Sequence, residues 1–281
     1  MKVVHTIEKV KAAVDAVRRE GETVGLVPTM GYFHEGHLSL MRQAKQDNGF
    51  VVVSLFVNPN QFGPNEDLRD YPRDLDRDAR MAESAGADLI FNPPVEEMYP
   101  QGYNTYVTVE KLTEGLCGAS RPEHFRGVTT VCLKLFNIVQ PDRAYFGRKD
   151  YQQLKVIHRM VTDLNVPLEI VGMPIVREQD GLAMSSRNTY LSLEERQAAL
   201  VLSKSLAYAR ELMGQGIASG PELQSKVEEF IRREPLARID YVQVVDPEML
   251  DGLIEIGDTA VLALAVRIGK TRLIDNALLM R

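Results

Sequence analysis

Val24-Gly-Leu-Val-Pro-Thr-Met-Gly-Tyr-Phe-His-Glu-Gly-His-Leu-Ser-Leu-Met-Arg-Gln-Ala44 reads as a short apolar strand, a glycine-rich turn and the opening of a helix. Pro28 and Gly31 interrupt the strand pattern, and from Leu38 onward Leu38, Met41 and Ala44 recur at helical spacing. A helix that begins here offers unpaired backbone N–H groups and the positive end of its dipole, which together form an anion site. Two imidazoles, His34 and His37, stand three residues apart at that end. Such a pair can be half of a zinc site, a helix cap or a pair of phosphate donors. Zinc-binding pairs usually lie inside a helix at i, i+4. This pair precedes the periodic residues and has Gly36 inside it, which favours a nucleotide phosphate and leaves the cap open.

Working outward, the run Phe50-Val-Val-Val-Ser-Leu-Phe-Val57 is almost continuously apolar and β-branched, as a strand buried on both faces of a parallel sheet must be. Strand, helix and strand make a βαβ unit. Asn58-Pro-Asn-Gln-Phe-Gly-Pro64 follows as a loop at the strand's carboxyl end, the edge where open parallel sheets bind ligands. Asn58 and Gln61 are neutral side chains suited to orienting a small polar substrate, or are ordinary turn residues. The alternating charges of residues 66–80 read as a solvated loop and helix face.

Upstream, residues 6–20 predict a helix capped by Thr6, with Ile7, Val10, Val14 and Val17 on one face. Downstream, a helix near 73–85 and a strand at 87–91 precede a loop-rich stretch, 96–127, with a possible strand at 105–109. Arg121, Glu123, His124 and Arg126 within it suggest a flap or a surface excursion. A helix over 128–139 and a strand at 143–146 lead into Gly147-Arg-Lys-Asp150 and a helix carrying Gln153. This repeats the opening arrangement, now with Lys149 as a point charge for phosphate and Asp150 as an acceptor for a ribose hydroxyl.

After a strand at 168–171 that continues at 175–177 comes Gly181-Leu-Ala-Met-Ser-Ser-Arg-Asn188. Its two hydroxyls and guanidinium suit a phosphate clamp or a serine-rich linker. Ser192-Leu-Glu-Glu195 is a capping box opening a helix to about Met213. A further helix near 221–233 and strands at 239–245, 259–266 and 273–275 indicate a smaller α+β domain. The expected fold is therefore α/β, a Rossmann-like parallel sheet with helices on both faces (residues 1–176), plus a C-terminal α+β lid domain (residues 177–281).

Composition narrows the function. With 281 residues the chain can bury a full core, and the net charge of −6, with no dense basic block, argues against a nucleic-acid partner. No apolar run reaches the roughly 20 residues of a membrane span, and no signal peptide is evident, so a cytoplasmic location is expected. Cys117 and Cys132 form no pairing motif and are expected to be inert.

Together, Met30-Gly-Tyr-Phe-His-Glu-Gly-His37, Asn58-Pro-Asn-Gln61, Gly147-Arg-Lys-Asp150, Gln153 and Met184-Ser-Ser-Arg187 resemble the pantothenate synthetase (pantoate–β-alanine ligase) family, in order and across essentially the whole chain. The histidine signature alone is shared with the wider nucleotidyltransferase superfamily, whose mobile loop commonly carries a second lysine where this chain has Arg187. The resemblance implies a ligase that joins pantoate to β-alanine through a pantoyl-adenylate, with ATP and Mg2+, acting as a homodimer. It implies catalytic roles for His37, His34, Lys149 and Arg187. ATP would be held by Met30, Gly31, Tyr32, Phe33, His34, Glu35, Gly36, His37, Gly147, Arg148, Lys149, Asp150, Val176, Met184, Ser185, Ser186 and Arg187. Pantoate would lie on Gln61 and Gln153, and β-alanine on Gln61 and Asn58; no protein metal site is implied. Two rivals remain: a nucleotidyltransferase acting on a phosphate ester, which would want extra basic residues, and a non-catalytic ATP sensor, which has little use for a second domain with a hydroxyl-and-arginine loop.

Overall fold

A computed structural model describes residues 1–64 and 66–281. The elements in chain order are β1 (Lys2–Val4), α1 (Ile7–Arg19), β2 (Val24–Thr29), α2 (Glu35–Asp47), β3 (Phe50–Leu55), α3 (Leu75–Ser84), β4 (Leu89–Phe91), α4 (Val95–Met98), α5 (Leu116–Ser120), α6 (His124–Val139), β5 (Arg143–Gly147), α7 (Tyr151–Asp163), β6 (Glu169–Met173), α8 (Leu193–Ala198), α9 (Leu200–Gly214), α10 (Gly220–Arg232), β7 (Ala237–Val245), β8 (Thr259–Ile268) and β9 (Thr271–Met280). The chain forms two compact units.

The first unit comprises Met1–Val109, Arg121–Arg148 and Gln153–Pro174. Its sheet has the strand order β1-β4-β3-β2-β5-β6, parallel at every pairing. The apolar run at 50–57 supplies its centre: Val51, Val52 and Val53 are fully buried. Val52 joins the apolar cluster with Val10, Val14, Leu135 and Phe136, whereas Val51 and Val53 join the one with Leu40, Met41, Ala44 and Ala82, so helices cover both faces. Because β2 pairs in parallel with both β3 and β5, the carboxyl ends of all three strands share one edge.

Several expectations need correction here. Residues 105–109 are not a strand. The backbone groups of Val107 bond to helix side chains instead, the N–H donating to Thr130 Oγ1 at 3.0 Å and the carbonyl accepting from Thr129 Oγ1 at 2.6 Å. Val107 and Val109 still pack on the core, so the alternation was real but its partner is α6. Residues 124–127 are the first turn of α6 and not a flap. Loop 58–64 contains a single 3-10 turn, Pro59–Gln61, which tolerates its proline because the N1 position needs no N–H donor.

The second unit comprises Glu110–Ser120, Lys149–Gln152 and Ile175–Arg281. Its residues do not all follow one cut near residue 176, because two earlier strips bond to β7, to the turn after it and to each other. Ser120 Oγ donates to Asp240, Tyr151 OH donates to the Pro247 carbonyl, and Gln152 Oε1 accepts from Cys117 N at 2.9 Å. Its antiparallel sheet β7-β8-β9 packs an apolar face, including Leu262, Leu264, Leu273 and Leu279, with Leu202, Leu206, Leu223 and Val227 of α9 and α10. Ser192 and Glu195 form the expected capping box, but the long helix is two helices meeting at fully buried Ala199, a break that no proline or glycine announces. Strand β9 runs on to Met280, well past the expected Asp275. Among the described residues no helix is long and apolar enough to cross a membrane.

Among the described glycines of the first unit, Gly127 marks the tightest approach to backbone atoms. A Cβ there would overlap the Asn60 carbonyl. Gly127→Ala should therefore lose about 1–3 kcal/mol of stability, whereas Gly214→Ala, with open space around it, should be neutral or gain up to about 1 kcal/mol. Urea unfolding of both variants checks this; an unchanged midpoint for Gly127→Ala would contradict the close approach.

Candidate active site

The histidine turn begins where β2 ends. Gly31 (φ +85°) and Tyr32 (φ +51°) both adopt left-handed backbone, which reverses the chain before α2. Tyr32 is strained there, since its Cβ crowds the following carbonyl. Asp78 of α3 holds the turn: its carboxylate accepts from Tyr32 N at 2.6 Å and Phe33 N at 2.8 Å. Arg77 donates to the Phe33 carbonyl at 2.7 Å and lies over the Tyr32 ring. Asp78 is 1% exposed. Burial pushes its carboxyl above the usual range, while the two amides and Arg77 pull it back.

Sequence reasoning misses Asp78. It lies in the charge run that reads as a solvated face, yet it shares the stripe Leu75, Asp78, Ala82 that turns toward the core. An acid in an apolar stripe was the available signal.

The two histidines cap α2 reciprocally. His34 Nδ1 accepts from Gly36 N at 3.1 Å, and His37 Nδ1 faces His34 N at 3.4 Å, with ring centroids 4.1 Å apart. The cap reading is thus real, and it does not compete with phosphate. An imidazole nitrogen that accepts from an amide carries no proton, so each neutral ring bears its proton on Nε2 and is a donor there. His37 also lies inside the first turn, one residue after Gly36, so the helix starts earlier than the Leu38 periodicity implied. Glu35 pairs with Arg42.

The loop after β3 is tied to this turn. Gln61 Nε2 reaches Met30 Sδ at 3.1 Å, and Gln61 Oε1 accepts from Asn58 Nδ2 at 3.2 Å. Asn58 is 1% exposed and fully used: it also donates to the Gly127 carbonyl and accepts from Asn60 N and Tyr99 OH. The Gln61 carbonyl accepts from Arg121 Nη2 at 3.1 Å and meets His124 Nδ1 at 2.9 Å. Arg121 in turn forks onto Glu66. Burial raises the Glu66 carboxyl, but Arg121 with His124 outweighs it and holds the group below the usual range. Arg121 and His124, two of the residues expected as a flap, thus fasten Gln61.

At the end of β5, beside β2, lie Gly147 and Arg148; Arg148 Nε donates to the Gly172 carbonyl, and half-buried Gln153 sits in the first turn of α7. In the second unit, Lys149 Nζ lies 3.2 Å from Asp150. Residues 176–184 there are no linker but a closed hairpin: Arg177 bridges Ala183, and Met184 N donates to the Val176 carbonyl at 3.0 Å. A 3-10 turn then follows, Ser186–Tyr190, capped by Ser185 Oγ accepting from Arg187 N. Both cysteines are buried, and burial pushes the Cys132 thiol up to about 12.

The sequence profile of the Pantoate-beta-alanine ligase family matches residues 2–278. A pantothenate synthetase of Heliobacterium modesticaldum is 60% identical over 276 residues, 98% of either chain. One of Acetivibrio thermocellus is 56% identical over 278 residues, 99% of either. Among solved structures, the pantothenate synthetase of Thermus thermophilus superposes with a TM-score of 0.94 at 52% identity, covering 99% of both chains. The pantoate-beta-alanine ligase of Francisella tularensis, complexed with beta-gamma ATP and beta-alanine, does so with a TM-score of 0.81 at 33% identity, covering 99% and 97%. Taken with the histidine turn at the edge of a parallel sheet, these likenesses mean that the chain belongs to the pantoate–β-alanine ligase family.

Proposed function

We propose that this chain makes pantothenate from pantoate, β-alanine and ATP in two halves. A pantoate carboxylate oxygen attacks the α-phosphorus, the bond to the bridging oxygen breaks, and pyrophosphate leaves. The amine of β-alanine then attacks the acyl carbon, loses a proton, and AMP departs. The observation that carries this reading is the reciprocal histidine cap at the amino end of α2, within a chain that matches the family over almost its whole length.

In the first half, charge builds on the α-phosphate oxygens and on pyrophosphate. His34 and His37 meet it with Nε2–H donors held by the helix, and the helix dipole adds to them. The family resemblance adds Lys149 and Arg187 as cations and assigns nucleotide contacts to residues 30–37, 147–150, 176 and 184–187. Gln61 and Gln153 hold pantoate, and Gln61 faces β-alanine as well. Asn58 acts on β-alanine through Gln61, because its own amide is already spent on the turn. Neutral amides suit a carboxylic acid with hydroxyls better than a phosphate ester, which sets the nucleotidyltransferase rival behind.

Among the described residues no group of three or more His, Cys, Asp or Glu gathers as a metal cage. The resemblance implies magnesium, which would enter on the triphosphate, mostly hydrated, and neutralise charge on the leaving pyrophosphate. The resemblance also supports a cytoplasmic homodimer.

Pyrophosphate release separates the readings. It should require pantoate and proceed for a single turnover without β-alanine; release without pantoate, or none until β-alanine is added, would overturn the adenylate route. His37→Ala should slow this step ~10²-fold or more with the fold intact by circular dichroism. Gln153→Ala should raise the apparent KM for pantoate about tenfold, the scale of one lost hydrogen bond to a buried hydroxyl, and leave the KM for ATP unchanged. An unaltered pantoate KM would remove Gln153 from the site.

A further inference from the structure

Strand β9 carries two buried polar residues in succession, Asp275 at 2% and Asn276 at 6% exposure. Successive residues of a strand face opposite sides of its sheet. Asp275 shares its side with Leu273, Ala277 and Leu279, the apolar face packed on the helices. A carboxylate there is costly unless it is paired and hydrogen-bonded. Its partner is Arg177, held bidentately at 2.6 and 2.9 Å. The same guanidinium donates to the Gly181 carbonyl at 3.0 Å, so it closes the hairpin from which residues 184–187 emerge. Asn276, on the other side, donates through Nδ2 to the Lys149 carbonyl at 2.9 Å, and its own N–H donates to Asp275 Oδ1 at 2.8 Å.

We infer that Asp275 and Asn276 are positioning residues for the nucleotide: one strand holds Lys149 on one side and the 176–184 hairpin on the other. This rests on the nucleotide-holding roles proposed above for Lys149 and for residues 184–187. The contacts of both side chains described above lie within the protein, and neither is needed to explain the unit's apolar core, which closes through leucine and valine. A buried Asp–Arg pair and an asparagine are unfavourable fillers for a strand compared with apolar residues of like size. Their placement makes sense as register: the amide fixes where the Lys149 backbone lies along β9, and the carboxylate fixes the start of the hairpin. The bond between them couples the two settings.

The test uses the full-length enzyme and reads each substrate separately. Asn276→Ala removes the donor to Lys149, and Asn276→Asp keeps the volume but sets an oxygen against the carbonyl. Both should raise the KM for ATP, the first roughly 5- to 10-fold and the second more, on the scale of one hydrogen bond. The KM values for pantoate and β-alanine should stay within about twofold, and calorimetric binding of a non-hydrolysable ATP analogue should weaken in step. A merely structural role would move all three substrates together with the thermal midpoint. An ATP KM unchanged in both variants, while Lys149→Ala weakens ATP, would overturn this inference and leave the proposed function standing. If Lys149→Ala itself left ATP unaffected, the nucleotide role of Lys149 would fall, and this inference with it.

Discussion

Two hydrogen bonds from backbone amides to imidazole nitrogens, at the first turn of α2, constrain everything else at this site. A helix start leaves amide groups without intrahelical partners, and here histidines serve where serine or aspartate is usual. The choice has a chemical consequence: accepting on Nδ1 commits each neutral ring to donate from Nε2. Under the proposed function, the local fold and the chemistry of phosphate stabilisation are thus one interaction. Asp78 guards its upstream side, because the left-handed Tyr32 that precedes the cap would relax without an acceptor for the two amides it exposes.

The loop after β3 follows a similar economy. Asn58 makes four hydrogen bonds from a buried side chain, and the Gln61 carbonyl is met by Arg121 and His124. A buried polar group left unpaired costs about 1–3 kcal/mol, so a network this closely satisfied has little freedom to shift. Gly127 permits it, since any larger residue would push α6 off the turn. Rigidity matters for an enzyme that must hold a carboxylate in line with a phosphorus atom, where a misplacement of about 1 Å can cost about 10²-fold.

Much of this was legible in the sequence. Buried strands announce themselves by β-branched runs such as 50–57, and glycine turns followed by helical periodicity located both strand-to-helix junctions. The capping box at Ser192 was readable to the residue. What escaped was long-range. Nothing local to Asp78 says that its partners are amides some 45 residues earlier, and nothing in Thr105–Val109 says that its backbone will bond to hydroxyls of a helix. Arg121 and His124 looked like loop residues because their partner, a carbonyl in the Gln61 turn, is invisible to periodicity. The strip Lys149–Gln152 groups with the C-terminal unit for the same reason: its anchors, Pro247 and Asn276, lie about a hundred residues on.

The reciprocal cap is open to direct observation. Long-range proton–nitrogen correlation spectra of the imidazole rings, taken on the free enzyme at a pH where both are neutral, report which nitrogen of each ring carries the proton. The cap requires His34 and His37 both to be Nε2–H tautomers. A proton on Nδ1 of either ring would contradict it.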